Sequence, residues 1–246
     1  MNEQCRGIIL KQADFKDNDY LLTILTDHFG MIKMIARGAK KATSKNSYAC
    51  SALILSDISF DLKGKDTLNT LKSISVVKSY KHLKNDLIKI AIAGLMSDII
   101  IELCRDTNGE EIRLFTYYST CLEILDNDDN DLLVLNLFLT NSLKIMGIDP
   151  QVDSCCVCGS KKIKTISLEH GGFVRGKCVV DYKNYDIDLL KRFRLVNKAT
   201  IDNYKTLITY GPYEFKITEI LYDFLSTYGD INLKSWRFLK ELMITT

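Results

Sequence analysis

The chain has 246 residues, of which 46% are hydrophobic and 26% charged, as in a folded globular protein of one large or two modest domains. These values, with only two prolines, exclude a long disordered or proline-rich chain. The net charge of +2 is unevenly distributed, because residues 1–84 carry 14 Lys and Arg against 8 Asp and Glu, whereas residues 85–246 carry 19 against 23. The resulting +6 and −4 suggest that the first part meets a polyanion, although a few exposed lysines without a ligand would give the same numbers.

Neither a secretory signal nor a membrane span is expected. The start, MNEQCRGIIL, has no charged region followed by an apolar core. The longest apolar uncharged stretch, residues 132–143, is shorter than the ~20 residues that a membrane helix needs. We therefore expect a cytoplasmic protein without a membrane partner, whose eight cysteines are reduced thiols or metal ligands rather than disulfides.

The first part of the chain has the pattern of short β-strands separated by turn-like clusters. The predicted strands are Cys5–Gln12, Tyr20–Thr26, Met31–Arg37, Ser51–Leu62 and Thr67–Tyr80. Five strands in so short a segment predict a small closed sheet such as an OB-fold barrel, with an SH3-like barrel as the competing arrangement. We assign residues 1–82 to this barrel domain.

A basic segment, RGAKKATSK, follows the third predicted strand. Its small residues let a backbone approach a phosphate chain closely, and its cations would release counterions on binding. The predicted nucleic-acid-binding residues are Arg37, Lys40, Lys41 and Lys45. Nearby aromatic residues that could stack on bases are Phe15, Tyr20, Tyr48 and Phe60. A solvated loop without a ligand is the alternative interpretation.

After Lys84 the apolar residues recur at helical spacing. The clearest predicted helices are Asn85–Arg105, Glu111–Leu125, Leu132–Met146, Ile217–Tyr228 and Leu233–Met243. We assign residues 83–246 to an α-helical domain that contains a Cys- and Gly-rich insert at residues 151–184. The fold class is therefore α+β.

The insert carries a Cys-x-x-Cys pair, Cys155 and Cys158, followed by a glycine. Two thiolates at this spacing can bind one zinc ion, but a structural tetrahedral site needs a second pair. Downstream, Cys178 is available, and the position three residues before it holds Arg175, which cannot ligate zinc. The sequence thus supplies three ligands for a structural Zn²⁺ and leaves open whether the ion is bound.

Two residues could replace the missing fourth ligand. They are His170 and Asp181, of which Asp181 follows Cys178 at the same spacing. Cys156 is a weaker candidate because it adjoins Cys155 and should point elsewhere. A metal-free hairpin with reduced thiols is the alternative, and thiol redox chemistry is disfavoured because the pair does not accompany a βαβ unit.

Motifs for nucleotide-driven or metal-dependent catalysis are missing from the sequence. It contains no phosphate-binding GxxxxGK[ST], no GxGxxG and no HExxH. Its three histidines lie near no Ser or Cys arrangement typical of nucleophilic catalysis. The sequence therefore favours a binding protein over an enzyme.

Several fragments follow one another in a characteristic order. They are Gly7–Leu10, Asp17–Thr26, Gly30, Ala36–Lys41, Leu68–Leu71, Met146–Pro150, Cys155-x-x-Cys158-Gly159, Ser167, Gly171-Gly172 and Lys234–Leu239. In this order they resemble the RecO family of bacterial recombination and repair proteins over nearly the whole chain. The family's four-cysteine pattern lacks one member here, where Arg175 stands.

The resemblance implies that residues 1–82 form an OB-fold barrel that binds nucleic acid, followed by a helical domain with a zinc-ribbon-like insert. It also implies binding of single- and double-stranded DNA, annealing of complementary strands, and loading of RecA onto DNA covered by single-strand-binding protein, with RecR as co-mediator. The helical domain would contact the acidic C-terminal tail of single-strand-binding protein, and the protein would associate with the nucleoid. Two alternatives are an adaptor that binds protein partners without DNA, and a thiol or zinc enzyme centred on the insert.

Overall fold

The computed structural model describes residues 2–44, 46–64, 67–106 and 111–245. Compactness divides the chain into two units, Met1–Asn127 and Asp128–Thr246. The first two predicted helices therefore belong to the same compact unit as the five predicted strands. The predicted domain boundary at residue 82, where strands give way to helices, stays a prediction.

The first unit contains a closed barrel of five strands in the order β1-β2-β3-β5-β4. The strands are β1 (Asn2–Phe15), β2 (Asp19–Thr26), β3 (Gly30–Ala36), β4 (Leu55–Asp61) and β5 (Asn69–Lys78). All neighbours are antiparallel except β3 and β5, which run parallel. The prediction of an OB-like barrel is confirmed. The fourth strand begins at Leu55 rather than Ser51, because Ser51 closes a turn onto Tyr48 and Leu53 has a positive φ.

Alternation of side chains fills the barrel interior. Along β4, Ile58 and Phe60 point inward and are buried in the core cluster. Asp57, which precedes Ile58 and points to the other face of the strand, is exposed. Gly7 is needed where β1 crosses this core, because a Cβ atom there would lie 2.6 Å from Ile24 Cγ2. Each buried Ile or Phe contributes roughly 1.5–3 kcal/mol by leaving water.

Two helices complete the first unit, α1 (Leu87–Asp106) and α2 (Glu111–Asn127). The Ser97 and Tyr118 hydroxyl groups lie 2.6 Å apart and join the two helices. The first turn of α2 contacts the β2–β3 hairpin so closely that a Cβ atom on Gly30 would lie 2.5 Å from the Glu111 carboxylate.

The second unit is mainly helical. Its elements are α3 (Asp131–Ile145), β6 (Thr165–Ser167), β7 (Gly172–Val174), α4 (Ile187–Lys198), α5 (Tyr204–Ile208), α6 (Phe215–Gly229) and α7 (Lys234–Thr245). Helix α3 is buried along most of its length, as its nearly uniform apolar composition predicts. Inside this core the Thr218 hydroxyl donates to Asn136 Oδ1 at 2.8 Å. Among the helices that the structure describes, none combines the length and apolarity that crossing a bilayer requires.

Candidate nucleic-acid interface and metal centre

The basic segment after β3 is held firmly against the barrel by its backbone. The Gly38 N–H donates to the Asp19 carboxylate at 2.8 Å, and the Lys40 N–H donates to the Asn18 carbonyl at 3.0 Å. Gly38 adopts φ +65°, a conformation that glycine accepts without strain. Ala39 is 2% exposed and belongs to the barrel core. Residues 38–40 therefore form a fixed rim of the barrel.

The cationic side chains of this segment are exposed. We call Arg37, Lys40 and Lys41 the cationic rim, because all three reach solvent. Lys40 Nζ lies 2.6 Å from Asp14 Oδ2, and this hydrogen bond raises the Lys40 pKa. Lys40 thus stays charged but is partly neutralised by an exposed carboxylate, in a pair of a kind that salt screens readily. Lys45, the fourth predicted residue, lies outside the described residues.

The four predicted aromatic residues have different environments. Phe60 is fully buried and makes an edge-to-face contact with Phe29, so it belongs to the core. Tyr20 packs against the same core, and Phe15 is half-buried. Tyr48 is 57% exposed, with the Lys84 ammonium 5.4 Å from its ring centroid. Of the four, Tyr48 has the accessibility that base stacking requires.

The strand register reveals two further cations that the sequence reasoning missed. Lys11 of β1 and Lys33 of β3 both pair with Thr23 on the strand between them, and both are exposed. Two strand spacings place their Cα atoms about 10 Å apart on the outer face. Lys33 precedes Arg37 by four residues and so has the same strand parity. This alternation in the sequence could have identified Lys33 as a cation on the same face. OB-fold proteins bind oligonucleotides on this face of strands 2 and 3.

In the second unit, the three predicted cysteine ligands come together. The sulfur atoms of Cys155, Cys158 and Cys178 all lie within 4.8 Å of one another. A tight turn places the first two, since the Gly159 N–H donates to the Cys155 carbonyl at 2.9 Å. Cys178 ends a 3₁₀ turn in which its N–H donates to the Arg175 carbonyl at 2.8 Å.

The hairpin of β6 and β7 brings these two turns together. Gly172, the first residue of β7, pairs with Gln151, and a Cβ atom on Gly172 would lie 2.2 Å from the Gln151 carbonyl oxygen. Only glycine fits this approach. The Phe173 N–H donates to the same carbonyl at 2.8 Å, and the Phe173 carbonyl accepts from the Cys156 N–H at 2.8 Å.

The donor set fits a zinc ion. Thiolates about 2.3 Å from a tetrahedral zinc lie about 3.8 Å apart, which the cluster of sulfur atoms accommodates. Burial opposes ionisation of Cys155, but backbone N–H groups, including that of Arg175 at 3.3 Å from its sulfur, lower its pKa to about 7. A hydrogen bond with Cys158, burial and neighbouring thiols raise the pKa of Cys178 to about 11. A dication would displace the protons of these thiols and hold them as ligands.

The candidates for a fourth ligand are not brought into the cluster. Within the described residues, neither His170 nor Asp181 lies within 4.8 Å of all three sulfur atoms. His170 Nδ1 instead lies 3.0 Å from the Ser167 hydroxyl. Cys156 is exposed and also outside the group.

Fold and sites together define an OB-like barrel protein with an exposed cationic rim and a separate helical unit that carries a zinc-ribbon-like cysteine hairpin. A family model described as recombination protein O N terminal matches residues 1–80. A second, described as recombination protein O C terminal, matches residues 84–237. The chain belongs to the RecO family, so the resemblance noted from its sequence is confirmed.

Individual relatives carry the same description. The chain is 24% identical to a DNA repair protein RecO of Halalkalibacterium halodurans, over 98% of this chain and 96% of that protein. It is 28% identical to that of Clostridium perfringens, over 96% and 97%. Identity reaches 30% with that of Mycoplasma mycoides subsp. mycoides, over 65% of each chain.

Proposed function

We propose that this protein is a non-enzymatic mediator of DNA repair and recombination that binds single- and double-stranded DNA through its barrel. Membership of the RecO family supports a role in repair and recombination. The observation that carries DNA binding is the cationic rim, three exposed cations on a backbone fixed to an OB-like barrel.

Annealing follows from electrostatics in this proposal. Two complementary strands repel each other through their phosphates, and the rim neutralises part of that charge on each strand. Lys11 and Lys33 extend the cationic surface across the outer face of the barrel. The bases then pair without any bond being made or broken in the protein, and no nucleotide is hydrolysed.

Protein partners belong to the same proposal and rest on family membership. The protein would act with RecR to load RecA onto DNA covered by single-strand-binding protein, whose acidic C-terminal tail would bind the helical region. Its place of action would be chromosomal DNA in the cytoplasm. The cysteine cluster would hold a structural Zn²⁺ that ties the Cys155–Gly159 turn to Cys178.

Fluorescence anisotropy with labelled single-stranded and duplex oligonucleotides tests DNA binding. The variant Arg37→Ala/Lys40→Ala/Lys41→Ala should weaken binding to both. The matched control, Lys162→Ala/Lys205→Ala/Arg237→Ala, removes the same charge from exposed positions of the second unit and should bind like the wild type. Equal DNA binding by the wild type, the rim variant and the control variant would show that the rim does not bind DNA. Failure of the wild type to bind DNA, with retained binding to single-strand-binding protein, would favour the adaptor.

A further inference from the structure

We propose that the metal ion in the cysteine cluster has three protein ligands and an open fourth position that takes a small thiol from solution. The inference rests on the proposed zinc site and adds to it a ligand-exchange position that a closed four-cysteine site lacks. The incoming thiol binds as a thiolate, its proton passes to solvent, and a metal-bound water leaves.

The cysteine cluster supplies fewer ligands than a zinc ion takes. Cys155, Cys158 and Cys178 form a group of three sulfur atoms, and within the described part of the chain no other His, Cys, Asp or Glu joins it. Zinc in proteins is almost always four-coordinate. Three protein ligands therefore leave one position for a molecule from outside the chain.

An arginine occupies the sequence position expected for a fourth ligand. Arg175 stands three residues before Cys178, as Cys155 stands three before Cys158. The Arg175 backbone nitrogen lies 3.3 Å from Cys155 Sγ, so this residue borders the cluster directly. Its guanidinium has donors only and cannot coordinate a cation.

Charge favours an anionic ligand at the open position. A dication with three thiolates carries a net charge of −1, and a fourth thiolate would make it −2. Arg175 and Lys177 add two positive charges to the short segment that ends at Cys178. Positive charge this close in sequence to Cys178 favours an anionic ligand over a neutral one.

Exposure places the open position at the surface. Cys155 is 2% exposed and forms the buried corner of the cluster. Cys158 is exposed and Cys178 is half-buried. The neighbouring side chains of Val157 and Val180 are exposed as well. A small molecule can therefore reach the ion from the side of Cys158 and Cys178.

Cobalt(II) titration of the full chain, reduced with a phosphine, tests the open position. The charge-transfer absorption of cobalt thiolates rises with the number of thiolates, and the d–d bands report the ligand set. We expect a three-thiolate spectrum whose d–d bands shift and whose charge-transfer absorption rises when 2-mercaptoethanol is added. Imidazole, a neutral ligand, should change the spectrum only at a higher concentration than 2-mercaptoethanol.

Two variants sharpen the test. Arg175→Cys supplies the fourth thiolate, so its cobalt spectrum should not change when thiol is added and its zinc affinity should exceed that of the wild type. Cys156→Ser is the matched control at an exposed cysteine outside the cluster and should behave like the wild type. A wild-type spectrum insensitive to thiol, or a change in Cys156→Ser, would mean that the chain closes its own site, which overturns the open position but leaves the metal site standing. Absence of cobalt binding would reject both.

Discussion

The cationic rim and the cysteine cluster differ in how they tolerate the loss of a residue. Coulombic attraction to a phosphate chain acts over about 10 Å at 0.1 M salt and has no preferred direction, so a rim that lacks one full charge still attracts DNA. Metal coordination acts at about 2.3 Å with a fixed geometry, so replacing one ligand changes the kind of site. In the rim, the Lys40–Asp14 pair offsets one positive charge. In the cluster, Arg175 stands where a fourth ligand would be expected.

Replacing the aromatic residue of the barrel core should change stability more than any other substitution considered. Phe60→Ala should lower the free energy of unfolding by about 3–5 kcal/mol, because Phe60 is fully buried in the barrel. Urea denaturation followed by circular dichroism measures it. A loss below about 1 kcal/mol would contradict the assignment of Phe60 to the core.

The next prediction concerns the metal site. Cys155→Ser removes the buried ligand, so metal binding should be lost, and with it the ~2.7 kcal/mol of stabilisation that zinc at a hundred times its Kd would provide. Metal analysis after dialysis and thermal unfolding with and without zinc check this result. DNA binding by the same variant should persist, and its loss would show that the two sites are not separable.

Tyr48→Ala should act on single strands alone. Stacking on an exposed ring contributes roughly 1–3 kcal/mol per base, and a duplex offers no unstacked base. Single-strand affinity should fall while duplex affinity and the unfolding midpoint stay unchanged; Tyr48→Phe should retain the wild-type affinity. An equal loss for both DNA forms would refute stacking.

The smallest expected effect is a gain. Asp14→Asn removes the carboxylate that pairs with Lys40, so DNA binding should become a few-fold tighter at low salt. Anisotropy titrations at two salt concentrations measure it, and the gain should shrink as salt rises. Weaker binding would indicate that Asp14 is needed to position Lys40.

Much of the architecture follows from periodicity in the sequence. Ile58 and Phe60 share one strand parity, from which their common buried face could have been predicted, and Lys33 could have been recognised by the same reasoning. The Lys40–Asp14 pair could not have been predicted in this way. It forms because the fold brings the end of β1 next to a segment 26 residues further along the chain. The spacing of the cysteines predicted which three sulfur atoms meet, but the position of His170 depends on a hairpin geometry that spacing does not encode.

If the cationic rim binds DNA phosphates, the affinity of the protein for DNA should fall steeply as salt concentration rises. Plots of log K against log salt concentration should be steep for the wild type and shallower by about one for each rim cation that is replaced by alanine. The control variant of the second unit should keep the wild-type slope. A wild-type slope near zero, or the same slope after all three rim cations are removed, would show that the rim does not bind DNA phosphates.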